Sequence, residues 1–135
     1  MRIQRAETPA RLDGLAAATT FFSQCFDDPS DPRIEQLWVA HLDDQARCIH
    51  LSRHDGDDGG ASLPVRQVIA DAARHGSAGL VLAHNHPSGD ATPSTSDRQI
   101  TRRLALAGEA IDVALLDHLV IAGRQCRSMR QMGLL

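Results

Sequence analysis

Two histidines lie one residue apart in the stretch HNHPSGDATPSTSD, residues 84–97, and an aspartate follows eleven positions after the second one. Alternate residues of a β-strand project to the same side, so we expect His84 and His86 to point together, with Cα atoms about 6.5 Å apart. Asp97 follows in the first turn of the next predicted helix. Two imidazoles and one carboxylate, with a fourth position open, match the ligand number of a catalytic zinc site. The stretch is therefore a candidate zinc site.

Each part of this stretch also has an ordinary structural interpretation. Ser94 and Asp97 have the spacing of a capping box, in which the serine accepts a bond from a backbone N–H and the aspartate bonds back to the N-cap amide. The histidine pair alone would suit an exposed loop, or a core in which the backbone satisfies both rings. The capping and metal interpretations are compatible, because one carboxylate oxygen can bond the N-cap amide while the other binds a metal.

The elements on either side of the stretch position these side chains. Residues 79–83, GLVLA, are short, apolar and bounded by turn signals, which predicts a central strand running into His84. Pro87 cannot donate to a strand ladder and ends the strand. A helix is predicted from Ser94 to about residue 107, with Gly108 ending it. The candidate ligands therefore lie at one strand end and one helix start.

Strand and helix patterns alternate along the rest of the chain, which predicts an α/β domain with a mixed sheet. A flexible acidic loop is predicted over 55–60. The other predicted elements are a helix over 8–26 with Thr8 as its cap and Pro9 in its first turn, a hairpin of strands over 34–42 and 46–52, a helix between Pro64 and Gly76, one bent or two short strands over 111–123, and an edge strand over 125–129.

Composition narrows the class of protein. A chain of 135 residues fits one domain, 1–135, with a core from about residue 8. The net charge is −3 and all fourteen basic side chains are arginine, so no general attraction to nucleic acid or to anionic membranes is expected. Three separated cysteines without a CxxC pair indicate neither a disulfide framework nor a cysteine zinc site. With no apolar signal region and no membrane-length apolar run, we expect a cytoplasmic protein.

The motif resembles that of the JAMM (MPN/JAB) metalloproteases. HNHPSGDATPSTSD together with LLDHLVIAG resembles the JAB domain of RadC-type bacterial proteins, and the resemblance extends from about residue 8 to the end. It implies a single-domain α/β fold of JAB/MPN type, with a mixed sheet flanked by helices in a cytidine-deaminase-like architecture. It also implies that His84, His86 and Asp97 bind Zn²⁺, and that Ser94 helps to hold the oxyanion.

The resemblance further implies an upstream glutamate that contacts the zinc-bound water. Glu35, in RIEQLW at the entry to the first predicted strand, lies where the family pattern places it. The other two glutamates, Glu7 and Glu109, do not match. A solvated carboxylate at a strand end is the ordinary interpretation of Glu35.

The implied reaction is hydrolysis of a peptide or isopeptide bond in a protein or peptide substrate. Zinc would activate the water, Glu35 would transfer its proton, and Ser94 would stabilise the oxyanion. Two alternatives remain, a DNA-repair-associated RadC-like accessory and a non-catalytic MPN scaffold. RadC-type proteins usually carry a helix-hairpin-helix module ahead of the JAB domain, and the roughly 30 residues before Glu35 leave no room for one, which disfavours nucleic acid as a partner. A zinc deaminase would need HxE and PCxxC motifs, which are absent. No pattern indicates the oligomeric state.

Weaker signals lie elsewhere in the chain. The pair Asp117–His118 matches the family's DH, and it suits either a carboxylate or histidine that orients a zinc ligand or a satisfied core histidine. Three arginines near the end are expected to form a solvated stripe rather than a phosphate-binding face: Arg124, Arg127 and Arg130. Four further histidines lack ligand-like spacing and are assigned to surface or core: His41, His50, His54 and His75.

Overall fold

The structure, a computed structural model, describes residues 10–26, 34–56 and 63–135. These residues form a five-stranded mixed sheet with three helices, so the predicted α/β class is confirmed. No helix among them is both long and apolar enough to cross a bilayer. In chain order the elements are α1 Leu15–Cys25, β1 Gln36–Leu42, β2 Cys48–Asp55, α2 Val65–His75, β3 Gly79–Asn85, α3 Thr95–Glu109, β4 Ala114–Ala122 and β5 Gln125–Ser128.

The strand order in the sheet is β2-β1-β3-β4-β5, so β3 is central as predicted. The β1–β2, β1–β3 and β4–β5 pairs are antiparallel, and the β3–β4 pair is parallel. A parallel pair needs a crossover connection, and α3 supplies it. This crossover returns the chain from the end of β3 through the start of α3, the two places that carry the candidate ligands.

The sheet is covered on both faces, which explains why β1 is buried throughout. Trp38 and Ala40 pack with Phe22 of α1 in one cluster. Leu37 and Val39 belong to the other cluster, which includes residues of α2 and α3. Successive β1 side chains therefore pack on opposite faces of the sheet, as the strand period of two requires.

The first helix begins later than predicted. It starts at Leu15 after Gly14, whereas the prediction placed its start at residue 8. Residues 10–12 are extended instead, because Leu12 N–H donates to Ala46 O at 2.8 Å and Cys48 N–H donates to Ala10 O at 2.8 Å. Pairing with the hairpin thus overrides local helix propensity. The predicted cap and first-turn proline, Thr8 and Pro9, lie outside the described residues, as do residues 57–60 of the predicted acidic loop.

Two predicted helix ends have different outcomes. Gly76 ends α2 with a left-handed φ of 64°, as predicted. Gly108 does not end α3, which continues to Glu109. A Cβ on Gly108 would lie 2.6 Å from Val113 O, so glycine is needed there for close approach of the helix to the start of β4.

Within the predicted 111–123, Ala114–Ala122 form one strand with an irregularity, which confirms the bent-strand alternative, and residues 111–113 precede the strand. Leu80 pairs with Leu115, but Val81 pairs with Asp117, so Leu116 is an extra residue in β4. A bulge of this kind bends the strand and changes which side chains reach each face. The predicted edge strand is present as β5, Gln125–Ser128.

Candidate metal centre

The end of β3 brings the two spaced histidines together. His84 is the last fully buried residue of the strand, and its Nε2 lies 2.9 Å from His86 Nε2. The backbone N–H of His86 donates to Ile121 O at 2.8 Å, which holds the residue against β4 after the strand has ended. The convergence expected from the strand period is present.

Asp97 reaches the same point from the first turn of α3. Its backbone N–H donates to Ser94 Oγ at 2.9 Å, and its Oδ2 accepts from Ser94 N at 2.9 Å, so the predicted capping box is present. The same Oδ2 lies 3.1 Å from His86 Nε2 and 3.4 Å from His84 Nε2. Oδ2 therefore accepts the bond from the N-cap amide and also contacts both histidines. The sequence had predicted that each carboxylate oxygen would make one of these two kinds of contact.

The three candidate ligand atoms are spaced as one cation would need them. Their separations of 2.9, 3.1 and 3.4 Å compare with ~3.3 Å between ligands held tetrahedrally at ~2.0–2.1 Å from Zn²⁺. The side chain of His84 is 2% exposed, but those of His86 and Asp97 are 12% and 17% exposed. An open coordination position would therefore face solvent on the side of His86 and Asp97.

Burial and charge act in opposite directions on Asp97. Burial alone would raise the pKa of its carboxyl, but the bond to His84, the positive charge that His84 can carry and the bonds from Ser94 outweigh burial. The pKa of Asp97 is therefore well below its ordinary value. The carboxylate is ionised at neutral pH, which is the form that binds a metal.

A second buried histidine lies behind His84. His84 Nδ1 is 2.7 Å from His118 Nε2, and His118 Nδ1 is 2.8 Å from Thr101 Oγ1. Burial, together with the charge of His84, holds the pKa of His118 well below its ordinary value. His118 is therefore neutral, with one ring nitrogen that donates and one that accepts.

The outer contacts of both histidines determine which ring nitrogen can bind a metal. His86 Nδ1 lies 2.7 Å from Asp90 O, a pure acceptor, so Nδ1 carries the proton and Nε2 presents a lone pair. His84 can present its own Nε2 lone pair when Nδ1 donates to His118 Nε2 and His118 Nδ1 donates to Thr101. Two lone pairs and a carboxylate then face one another, an arrangement that suits a cation between them.

The bulge in β4 separates the roles of the predicted DH pair. Leu82 pairs with His118, so His118 lies on the face of the sheet that carries His84. Asp117 points to the other face, where its carboxylate accepts from Ser128 Oγ and from the backbone N–H of Arg130. His118 therefore contacts the candidate ligand His84, where an orienting partner would lie, whereas Asp117 is hydrogen-bonded on the opposite face.

The predicted arginine stripe is exposed to solvent: Arg124, Arg127 and Arg130 are all exposed. The Arg130 guanidinium also donates to the carbonyls of Leu115 and Leu116 beside the bulge. Arg130 is therefore used to satisfy the irregular backbone of β4.

Glu35 lies in a segment whose backbone is hydrogen-bonded to Asn85, the last residue of β3. Gln36 N–H donates to Asn85 Oδ1 at 2.6 Å, and Asn85 Nδ2 donates to Ile34 O at 3.3 Å. The Asn85 side chain thus bonds the backbone on both sides of Glu35. Since Leu37 pairs with His84, Glu35 lies two residues before that pair, level with the end of β3 and on the same face.

Glu35 is outside the group of close ligand atoms. Among the described residues, that group comprises His84, His86 and Asp97, whose ligand atoms all lie within 4.8 Å of one another. A place beside the group but not within it suits contact with a water more than contact with an ion. The roles of Glu35 and Ser94 remain predictions.

Sequence reasoning missed a second group of close ligand atoms, formed by His41, His50 and Asp71. His41 and His50 had been assigned to surface or core. The three residues come from β1, β2 and α2, so no short spacing joins them. The predicted hairpin was the one available signal, because its register pairs His41 with His50.

Comparison with known proteins gives the family. A family profile described as the RadC-like JAB domain matches residues 14–134. A UPF0758 protein of Bordetella petrii is 43% identical over 105 residues, which cover 76% of this chain and 46% of that protein. A UPF0758 protein of Chloroflexus aggregans is 35% identical over 126 residues, covering 93% and 53%. The UPF0758 protein YfjY of Escherichia coli is 38% identical over 102 residues, covering 75% and 64%.

The matched region thus spans about half to two thirds of the length of these relatives. It covers most of this chain, including every residue of the candidate metal centre. The chain belongs to the family of RadC-like JAB domains.

Proposed function

We propose that the chain is a zinc-dependent hydrolase of the JAMM type, which cleaves a peptide or isopeptide bond in a protein or peptide substrate. The observation that carries the proposal is the convergence of His84, His86 and Asp97 on a JAB fold, the fold of a family that includes metalloproteases. Two imidazoles and a carboxylate with an open side suit catalytic Zn²⁺. We place the protein in the cytoplasm as part of the same proposal.

The residues around the metal would divide the chemistry. Bound Zn²⁺ supplies water activation near neutral pH and positive charge beside the scissile carbonyl. Glu35 accepts a proton from the attacking water at its carboxylate and returns it to the leaving amine. Ser94 Oγ already accepts from Asp97 N–H, and its own O–H remains free to donate to the oxyanion.

The contacts behind the ligands would keep this geometry in place. His118 and Thr101 hold the His84 ring from its buried side. Asn85 holds the backbone around Glu35 against the end of β3. Proton transfer requires such fixed distances, because a general base acts only within hydrogen-bond reach of the proton.

The test is metal content followed by a substrate panel. Protein purified without chelators should contain Zn²⁺ by elemental mass spectrometry, and His86→Ala should contain one Zn²⁺ fewer per chain. The loaded protein should cleave at least one member of a panel of peptides and isopeptide conjugates, and chelation should abolish cleavage. A wild-type chain that binds no divalent metal here would overturn the proposal.

The same experiment separates the two alternatives. Zinc binding without hydrolysis across the panel would favour the non-catalytic MPN scaffold. A salt-resistant complex with duplex DNA would favour the DNA-repair accessory, which the net charge of −3 disfavours.

A further inference from the structure

A second set of metal-ligating side chains lies at the opposite end of β1 from Glu35. His41 of β1 pairs directly with His50 of β2, and their ring centroids are 5.2 Å apart. Asp71 comes from α2, which packs over this face of the sheet. Ligand atoms of all three lie within 4.8 Å of one another. Three separate elements therefore direct two imidazoles and one carboxylate to one point.

His41 contributes a buried ring nitrogen that lacks a partner. The residue is 0% exposed, and its Nδ1 lies 2.9 Å from Ser77 Oγ. Its Nε2 is the one buried side-chain nitrogen or oxygen in the described part of the chain without a hydrogen-bond partner. A buried polar atom without a partner destabilises the folded chain. A cation bound at Nε2 would remove that penalty.

The protonation of His41 suits a ligand. Burial first, and then the charge of His50, lowers the pKa of the His41 imidazole to about 4, so the ring is neutral at pH 7. When Nδ1 donates to Ser77, Nε2 presents its lone pair to the group.

The other two side chains are held in place around that nitrogen. Gln67 Nε2 and Arg74 both donate to Asp71 Oδ1, at 3.0 and 2.9 Å. Within the described residues no bond occupies Asp71 Oδ2. The ring of His75 stacks on that of His50, with centroids 3.9 Å apart and planes 18° apart. Neighbouring side chains thus orient both Asp71 and His50, and each keeps an atom that can bind a metal.

We propose that His41, His50 and Asp71 form a second metal site, which binds Zn²⁺ or another divalent transition-metal ion that favours imidazole ligands. The metal would join β1, β2 and α2. The site cannot share an ion with the first one, because His84 pairs with Leu37, four residues and about 13 Å along β1 from His41. The proposal is independent of the proposed hydrolase activity.

The test uses the 135-residue chain with its first site disabled by His86→Ala and Asp97→Ala. Zn²⁺ binding is measured by calorimetry, Co²⁺ binding by its visible absorption, and unfolding temperature with and without metal. We expect one ion per chain and a higher unfolding temperature when metal is present. A background protein that binds neither ion would overturn the proposal.

Single substitutions in that background locate the site. His50→Phe keeps an aromatic ring for stacking but has no ligand atom, and Asp71→Asn keeps the shape of the carboxylate but lowers its affinity for the ion. Both should lose the ion and the thermal shift. His54→Phe is the matched control, since His54 lies on the same strand with Nε2 on Ser52 Oγ, outside the group. Retention of metal by both His50→Phe and Asp71→Asn would contradict the assignment.

Discussion

His84 Nδ1 lies 2.7 Å from His118 Nε2, so the histidine that faces Asp97 is held from behind by a second buried histidine. Thr101 continues the contact at 2.8 Å. Two proton arrangements satisfy this row of groups. In one, His84 Nε2 carries a proton towards Asp97; in the other, Nε2 is a bare ligand. Metal binding selects the second arrangement, because a ligating nitrogen cannot also carry a proton.

Removing the acceptor behind His84 should weaken metal binding. His118→Leu leaves His84 Nδ1 without a partner, and loss of such an outer contact typically lowers metal affinity about 10–100-fold. His118→Gln keeps an acceptor and should restore part of the affinity. Competition against a chromogenic chelator measures both variants, with circular dichroism as the folding control. Equal affinities for the leucine and glutamine variants would show that His118 acts through packing alone.

The two carboxylates should differ in their relation to the metal. In a His50→Phe background, which disables the proposed second site, Asp97→Ala removes a ligand of the first site and should yield metal-free protein. Glu35→Gln keeps the shape of the side chain but cannot accept a proton, so it should keep its zinc and lose roughly 10²–10⁴ in rate. Elemental analysis of both purified variants is decisive without knowledge of the substrate. Metal-free Glu35→Gln beside zinc-loaded Asp97→Ala would mean that the two roles are reversed.

Asn85 should affect catalysis without affecting metal content. Asn85→Ala frees the backbone on both sides of Glu35, so the base loses its fixed distance from the water, and kcat should fall while bound zinc stays the same. Asn85→Asp keeps the acceptor for Gln36 N–H but loses the donor to Ile34 O, and its loss of kcat should be intermediate. Steady-state kinetics on any substrate from the panel measures this. A pure rise in KM would place Asn85 in substrate binding instead.

Alkaline pH should destabilise the protein through buried thiols. Burial, with the nearby charge of Cys48, raises the pKa of Cys25 from 9.0 to about 12, and burial raises that of Cys48 to about 11. At pH values between 9.0 and the raised pKa of each thiol, the unfolded chain has lost thiol protons that the folded chain retains. The free energy of unfolding therefore falls as pH rises above 9, by up to about 1.4 kcal/mol per pH unit for each thiol.

Urea unfolding at several pH values from 8 to 10.5 measures that slope. Cys25→Ala should lower stability at pH 8 through lost packing, but it should make the alkaline slope shallower than in the wild type. Parallel slopes for the two proteins would contradict a raised thiol pKa at this position.

Much of the candidate site follows from short-range patterns. The alternation of a strand places His84 and His86 on one side, Pro87 ends the strand, and the capping box places Asp97 in the first turn of α3. These are geometric consequences of local backbone conformation, so fourteen consecutive residues suffice to encode them. Most elements of the sheet and helices follow in the same way from hydrophobic period and turn residues.

Contacts between distant segments required the tertiary structure. The extra residue Leu116 in β4 decides that His118, and not Asp117, reaches His84. Pairing of residues 10–12 with the hairpin delays the start of α1. The group of His41, His50 and Asp71 depends on a strand register and on the docking of α2. A local pattern specifies the conformation of its own segment, whereas register, bulges and helix docking are set by which distant surfaces are buried together, and those surfaces meet only in the folded chain.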